Sequence, residues 1–497
     1  MKNIAKLFLI ALSATVMASC ADYLDTKQYS ALSTDEAITD YDGAYSALIG
    51  MYDGLQGDAT RNTYYAARMI YYGDVRGDDM QASKAANRTS PCYEMRYTAD
   101  NAPVVAWDLP YTVNRLANSL IKALDEDKVT DASEEEIGDL RSQALVARAL
   151  VHFDMVRVYA NPYTMDNGAS LGIPIVTEPL EHGATPARNT VAEVYAQVIK
   201  DLNEAINSGF LTEDPTLGFF NVWAAKALLC RVYLYKGANQ EALSLAQDII
   251  ANSPYTLWTN AAYGSVWSKE GTSEVIFEII NYDNTDWGDR EGIGYLMSED
   301  GYQDMIVTQA FSDLLNEDPN DVRQTIVQAS HLAANVRVYG TDKVWCNKFR
   351  GKTGDQIPIA NIPILRLSEV YLNGAEAAVK LGGGANMQTA ADYVKAIATR
   401  ANPATAESIT SANITLDRVL KERRKELVGE GHRFFDAMRN NLTITRYTDE
   451  ANMGRHYILT ESKSKQFDRT YFRAILPIPV AEVNANPALK AQQNPGY

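Results

Sequence analysis

The chain has 497 residues, 46% hydrophobic and 22% charged, enough to build a large core and too apolar for wholesale disorder. Such a length allows two or three ordinary domains or one large body assembled from repeats. Asp and Glu (63) outnumber Lys and Arg (46), giving a formal charge of −17, which argues against nucleic-acid binding and against polybasic docking on lipid.

Residues 1–20 carry Lys2 and Lys6, then an apolar run from Leu7 to Met17, then Ala18-Ser19-Cys20. The run is too short for a permanent membrane helix and has the layout of a cleaved secretory signal. Small residues directly before a cysteine resemble the bacterial lipobox, which implies cleavage after residue 19 and lipidation of Cys20. The alternative is an ordinary signal with a chance cysteine. Two or three acyl chains anchor a protein stably where one does not. Residues 20–34 then form a polar tether. Cys92, Cys230 and Cys346 remain, so at most one disulfide can form, and the absence of CxxC leaves zinc-ribbon and thioredoxin-type chemistry unsupported.

Helical periodicity dominates the rest. Leu140, Ala144, Ala147, Val151, Met155 and Val158 mark one face of a long helix that stops at Asn161-Pro162. Val191, Val194, Val198, Leu202 and Ile206 mark a second, opened by Asn189-Thr190 and closed by Gly209. Trp223, Ala227, Cys230 and Leu234 make a third, ending at Gly237, with Leu243, Ala246 and Ile249 on its partner. Leu367 to Ala378, Met387 to Arg400 and Leu416 to Leu427 supply three more. Paired helices with small residues at their crossings are the tetratricopeptide manner of stacking. Two stretches depart from it. Residues 57–110 are rich in Gly, Asp, Asn and Tyr; residues 253–360 hold most of the Trp and a strand-like run, Val275 to Ile280. Long irregular segments of this kind usually carry function. The expectation is a mostly α fold: tetratricopeptide-like helix pairs, large irregular loops and a few short strands, forming one domain over 35–497.

Several motifs lose their chemistry in context. Gly168-Ala169-Ser170-Leu171-Gly172 matches GxSxG, but Pro162 precedes and Pro174 follows, so the strand-to-helix elbow is missing. Gly351-Lys352-Thr353 lacks the earlier glycine of a phosphate loop, because Cys346 stands there. The five histidines show no metal-ligand spacing. Asp283, Asp286, Asp289 and Glu291 offer calcium-type oxygens, yet not at EF-hand spacing, and read as solvated loop charge; no cofactor is expected. Glu422, Glu426 and Glu430, interleaved with Arg423, Arg424, Lys425 and Arg433, read as a helix-surface ion network with a partly buried Arg–Glu lock.

One set of segments, in order, carries a family signature: Asp22-Tyr23-Leu24-Asp25; Ala147-Arg148-Ala149 with Phe153-Asp154; Gly172-Ile173-Pro174-Ile175; Arg188-Asn189-Thr190; Ala224-Ala225-Lys226-Ala227; Leu365-Arg366-Leu367-Ser368-Glu369; Glu422-Arg423-Arg424 with Gly431-His432-Arg433-Phe434-Phe435-Asp436; Leu476-Pro477-Ile478-Pro479; and Asn494-Pro495-Gly496-Tyr497. Over nearly its full length the chain resembles the SusD/RagB family of outer-membrane nutrient-binding lipoproteins. The resemblance implies a surface-exposed lipoprotein that captures an oligosaccharide and delivers it to a SusC-like TonB-dependent barrel transporter, without catalysis. A peptide ligand with the same partner, or a lipid-anchored glycoside hydrolase, are the competing readings. Sugars offer C–H faces to aromatic rings and hydroxyls to polar groups. The loops suggest Asp78, Asp79, Lys84, Arg88, Tyr93, Arg96 and Asn101 on one side and Tyr282, Asp283, Trp287, Asp289, Arg290 and Tyr295 on the other. Trp287, set among Asn, Asp and Gly, is expected to stack on sugar; Trp107 and Trp223 are expected in the core.

Overall fold

Capping chemistry fixes where the helices begin. The computed structural model describes residues 37–57, 63–282, 290–330, 343–352 and 359–497. Helix α1 spans Tyr41–Gln56, α2 Val105–Asp125, α3 Glu134–Tyr159, α4 Val191–Asn207 and α5 Val222–Lys236. Then come α6 (Asn239–Asn252), α7 (Leu367–Leu381), α8 (Gly384–Ala401) and α9 (Leu416–Leu427). Ser133 opens α3 by a reciprocal pair of bonds: its Oγ accepts from Glu136 N at 3.2 Å while Glu136 accepts from Ser133 N at 2.8 Å. Thr190 and Glu193 repeat the device at α4. Each box satisfies N–H groups that a helix start leaves unpaired. Gly237 closes α5 in the left-handed region, at φ 82°, where glycine carries no Cβ penalty.

The helices stack in chain order, each on its predecessor, from α1 through α2, α3, α4, α5, α6 and α7 to α8, with α9 laid on α7. This is the helix-pair scaffold that the periodicity predicts. The stripe on α3 understates its burial: between Ser142 and Tyr159 only Arg157 reaches solvent appreciably. A helix covered on all sides forms the centre of the body rather than an amphipathic wall. Gly374 of α7 shows how closely the stack is drawn, since a Cβ there would sit 2.8 Å from the Ala246 methyl and 2.9 Å from the Tyr393 ring. No helix among the described residues is long and apolar enough to cross a membrane.

Although 253–360 separates them in sequence, α6 and α7 pack directly together. The intervening excursion is tied down by two-stranded antiparallel sheets. In strand order the chain has β1 (Met80–Ala82), β2 (Val275–Ile279), β3 (Met305–Val307), β4 (Val327–Ala329), β5 (Val344–Cys346), β6 (Ile362–Arg366), β7 (Ile444–Thr445) and β8 (Gln466–Phe467). They pair as β1–β3, β2–β6, β4–β5 and β7–β8. The strand expected at Val275 to Ile280 is β2. The segment 57–110 is less irregular than expected: it holds a helix at Arg68–Asp74, β1, a turn of helix at Ser90–Tyr93 and the first turns of α2, which begins at Val105. Trp107 and Trp223 are buried, as expected; Trp107 meets Tyr159 edge-on at 4.9 Å.

The charged segment 422–436 is a core feature, which corrects its reading as mainly a helix surface. Arg366 lies 2.6 Å from Glu274, 2.7 Å from Glu430 and 3.2 Å from Glu426. Arg400 pairs with Glu274 at 2.8 Å and Glu426 at 2.5 Å. Arg323 pairs with Glu422 at 2.7 Å and Asp321 at 2.6 Å, and Lys348 with Glu430 at 2.5 Å. These side chains are nearly all fully buried. Burial on its own would raise the Glu422 and Glu426 carboxyls, but the facing Arg323 and Arg400 guanidinium groups outweigh it and hold both at about 2. Because each charge meets several opposite ones, the desolvation cost is offset within the network. The network joins β2, β6, α8 and α9 to residues 321–323 and 348, fastening the excursion to the helix stack.

Candidate ligand-binding face

Two segments more than two hundred residues apart meet through β1 and β3, whose register places Met80 opposite Val307 and Ala82 opposite Met305. Beyond the ladder, Ser83 N donates to Asp304 O at 2.9 Å, Asn87 Nδ2 to the same oxygen at 2.8 Å and Thr89 Oγ1 at 3.1 Å. Asn87 Oδ1 in turn accepts from the backbone of Thr89 and Ser90, an Asx turn that fixes the chain on either side of Arg88. On the facing segment, Tyr302 N donates to Tyr295 O at 2.8 Å. Gly301 makes that closure feasible, because a Cβ on it would fall 2.3 Å from Tyr295 O.

These loops assemble a row of two adjacent rings flanked by cations. The Arg88 guanidinium sits 3.6 Å above the centre of the Tyr302 ring. Tyr302 meets Tyr295 edge-on at 5.3 Å and 65°. Arg290 lies 5.3 Å over the Tyr295 ring. Arg88 is held in place by Glu291, with Nε 3.0 Å from both carboxylate oxygens, and by Asp304 at 3.2 Å. Asp304 is buried, which pushes its carboxyl up to about 6 against the opposing pull of Arg88. Arg290 is exposed, Arg88 is 39% exposed at its side chain, and both tyrosines are half-buried. The surface therefore presents ring edges, phenols, guanidinium groups and carboxylates together, the mixture that sugar hydroxyls and C–H faces require.

Three of the expected contacts, Arg88, Arg290 and Tyr295, come together here. Others do not. Asp78 and Asp79 are buried and serve as anchors: Asp78 accepts from Arg433 Nε at 2.6 Å, and Asp79 from Arg424 Nε at 3.0 Å. Tyr93 is fully buried, its hydroxyl 2.6 Å from His456 Nδ1 and its ring beneath Arg446. For all three, burial against the α9 region and residues 446–456 replaces the expected ligand contact. Arg96 is half-exposed but ion-paired with Glu94, and Asn101 closes a local cap on Thr98 N at 2.6 Å. Tyr282 is 75% exposed, with Lys352 at 6.0 Å over its ring. Trp287, Asp283 and Asp289 lie outside the described residues, as does Cys20. Tyr302 and Asp304 were not among the expected contacts; a second tyrosine seven residues after Tyr295, preceded by Gly301, is the signal in the sequence that could have marked Tyr302.

Comparison with known proteins agrees with the fold. A family model described as SusD family matches residues 262–497, and one described as starch-binding, associating with outer membrane, matches residues 22–234. A crystal structure of a SusD superfamily protein from Bacteroides thetaiotaomicron is 37% identical, with a TM-score of 0.85, covering 92% of this chain and 100% of that one. The chain belongs to the SusD family. Among more distant relatives, surface glycan-binding protein A from Bacteroides uniformis is 22% identical with a TM-score of 0.71, over 91% of this chain and 99% of that one. SusD-like protein P38 of Formosa agariphila is 23% identical over 500 residues, spanning 89% of this chain and 92% of its own length. SusD-like proteins are carbohydrate-binding proteins associated with the outer membrane.

Within that SusD-like frame the remaining motifs are structural. Around Ser170, the backbone N–H groups of residues 168, 169 and 170 all donate to the Asp166 carboxylate, at 3.0–3.1 Å; this is an Asx-type turn, not a nucleophile elbow. Lys352 pairs with Glu270 at 2.6 Å. Cys92, Cys230 and Cys346 are free, buried thiols. Among the described residues no group of three or more His, Cys, Asp or Glu side chains is placed to hold a metal ion.

Proposed function

We propose that this SusD-family protein is anchored at the cell surface by lipid on Cys20, binds an oligosaccharide on the Arg88–Tyr302–Tyr295–Arg290 face, and hands it to a SusC-like TonB-dependent transporter. The observation that carries the reading is the pair of adjacent tyrosine rings flanked by two guanidinium groups, built by two remote segments and partly open to solvent. Trp287, which follows Tyr282 by five residues and precedes Arg290 by three, is proposed as a further sugar contact. Binding alone suffices for capture and hand-over, and catalysis plays no part. Titrating the purified chain against a panel of polysaccharides and of peptides tests the ligand class. Saturable binding of at least one glycan, competed by its own oligosaccharides, is expected; binding confined to peptides would move the assignment to peptide capture.

A further inference from the structure

Away from that face a cleft of about 570 Å³ opens between the start of α2, residues 174–186 and the short helix Val480–Ala485. Pro174, Pro179, Pro186 and Leu180 form stiff apolar walls, with Leu180 54% exposed. Trp107 and Tyr111 line the side, their rings 5.3 Å apart. The carboxyls of Asp108 and Glu482 both line the cleft, near enough for each to act on the other's titration. Partial desolvation raises both carboxyls from their ordinary values, and the Asp108 charge raises Glu482 further. Two carboxyls this near favour a shared proton or a cation between them.

The other polar atoms of the cleft repeat this bias. Three of its donors are spent on the protein: the Tyr111 hydroxyl on Pro174 O at 2.8 Å, Asn114 Nδ2 on Val176 O at 2.8 Å and Asn486 Nδ2 on Pro186 O at 2.8 Å. An acceptor is left over. Asn114 is 1% exposed and its Oδ1 has no partner, a state that buried amide oxygens rarely tolerate. Arg115 stands exposed at the rim. We propose that this cleft is a second ligand site, taking a small organic ammonium compound whose charged nitrogen sits on Asp108 and Glu482, whose body packs against the proline walls, and whose further donor meets Asn114 Oδ1. The amine of an amino sugar and the terminal amine of a short peptide share this chemistry.

The test is calorimetric titration of the full chain in detergent micelles, at pH 7.5, with glucosamine, N-acetylglucosamine and alanyl-alanine amide. Glucosamine or the dipeptide amide should saturate, and the tighter of the two identifies the source of the amine; N-acetylglucosamine, which lacks the charge, should not bind. Asp108→Asn should weaken the amine by about tenfold or more, while Tyr295→Ala, on the other face, should leave it unchanged. Asp108 is exposed, so the variant should fold; if it does not, Glu482→Gln is judged by the same criterion. Failure of both amines to saturate, equal binding of N-acetylglucosamine, or full affinity in the carboxyl variants would overturn the proposal. Glycan capture on the tyrosine face stands or falls separately.

Discussion

Tyr295 shows what a single residue does on the tyrosine face. Its ring contacts Arg290 at 5.3 Å and Tyr302 at 5.3 Å and 65°, and a sugar stacked on a free ring face would gain on the order of 1 kcal/mol. Tyr295→Ala should weaken glycan binding by about tenfold, since about 1.4 kcal/mol is a decade of affinity, and the Tyr295→Ala/Tyr302→Ala pair by more than either alone. Because both rings are half-buried at the surface, the melting temperature should barely move; unchanged affinity with a clear fall in melting temperature would mean that the rings are packing residues. Trp287→Ala is expected to behave in the same way. Asp304 adds a pH signature. With its carboxyl at about 6, acidifying from pH 7.5 to 5 protonates it and releases one of the two carboxylates that hold Arg88. Ligand affinity should shift across that interval in wild type and stay flat in Asp304→Asn; parallel profiles would dissociate Asp304 from binding. Arg88, Arg290 and Tyr295 were legible because chemistry-bearing residues in Gly- and Asp-rich stretches stand out. That Asp78, Asp79 and Tyr93 are buried was not legible, since it depends on partners at 424, 433 and 456.

At the scale of elements, helices were the readable part. Their stripes and caps are local, so Ser133-Glu136 and Thr190-Glu193 announce α3 and α4 without tertiary information. Pairing of β1 with β3 is not local: Asn87 and Asp304 are 217 residues apart, and three-residue strands carry almost no pattern of their own. Only that pairing turns two separate loops into one face. The buried ion network was half-readable. The spacing of Glu422, Glu426 and Glu430 shows one helical face, but Glu274, Arg323, Lys348 and Arg366, which bury it, come from elsewhere. Removing one member leaves an uncompensated buried charge, so Arg366→Ala should destabilise the fold by about 3–5 kcal/mol. Arg418→Ala, whose partner Glu422 keeps Arg323, should cost far less. Chemical denaturation of both variants checks the ordering; equal small losses would show that the network contributes little.

For the molecule as a whole, acid is the predicted weakness. Burial pulls His152, His432 and His456 down to about 3, with Arg148 and Arg446 adding to the shift at His152 and His456. Their folded values lie below the ordinary value of roughly 6.5, so the stability from keeping them neutral is complete above that pH and is lost as pH falls toward 3. Glu422 and Glu426, at about 2, act in the same direction below roughly 4.5. Asp304 opposes them, as its raised carboxyl favours the folded state at low pH and loses that contribution as pH rises through about 6. Between pH 7 and 4.5 the three histidines act against Asp304 and the further carboxyls that burial raises, Asp74, Asp108, Asp139, Glu278 and Glu482; the histidine shifts to about 3 are the larger effect, and the melting temperature should fall from pH 7 to 4.5. A flat profile would contradict the neutral state of the buried histidines.

Membrane attachment is a property of the whole chain as well. Cys20→Ala should release the protein from the membrane fraction or stall its processing, and unchanged fractionation in the absence of the proposed barrel partner would exclude lipid at that position. The most direct measurement is the structure of the protein with an oligosaccharide drawn from the glycans it binds. The sugar should lie across Tyr295 and Tyr302, with Arg88 or Arg290 within hydrogen-bond distance of its hydroxyls. A glycan bound elsewhere on the molecule, with the tyrosine face empty, would contradict the assignment.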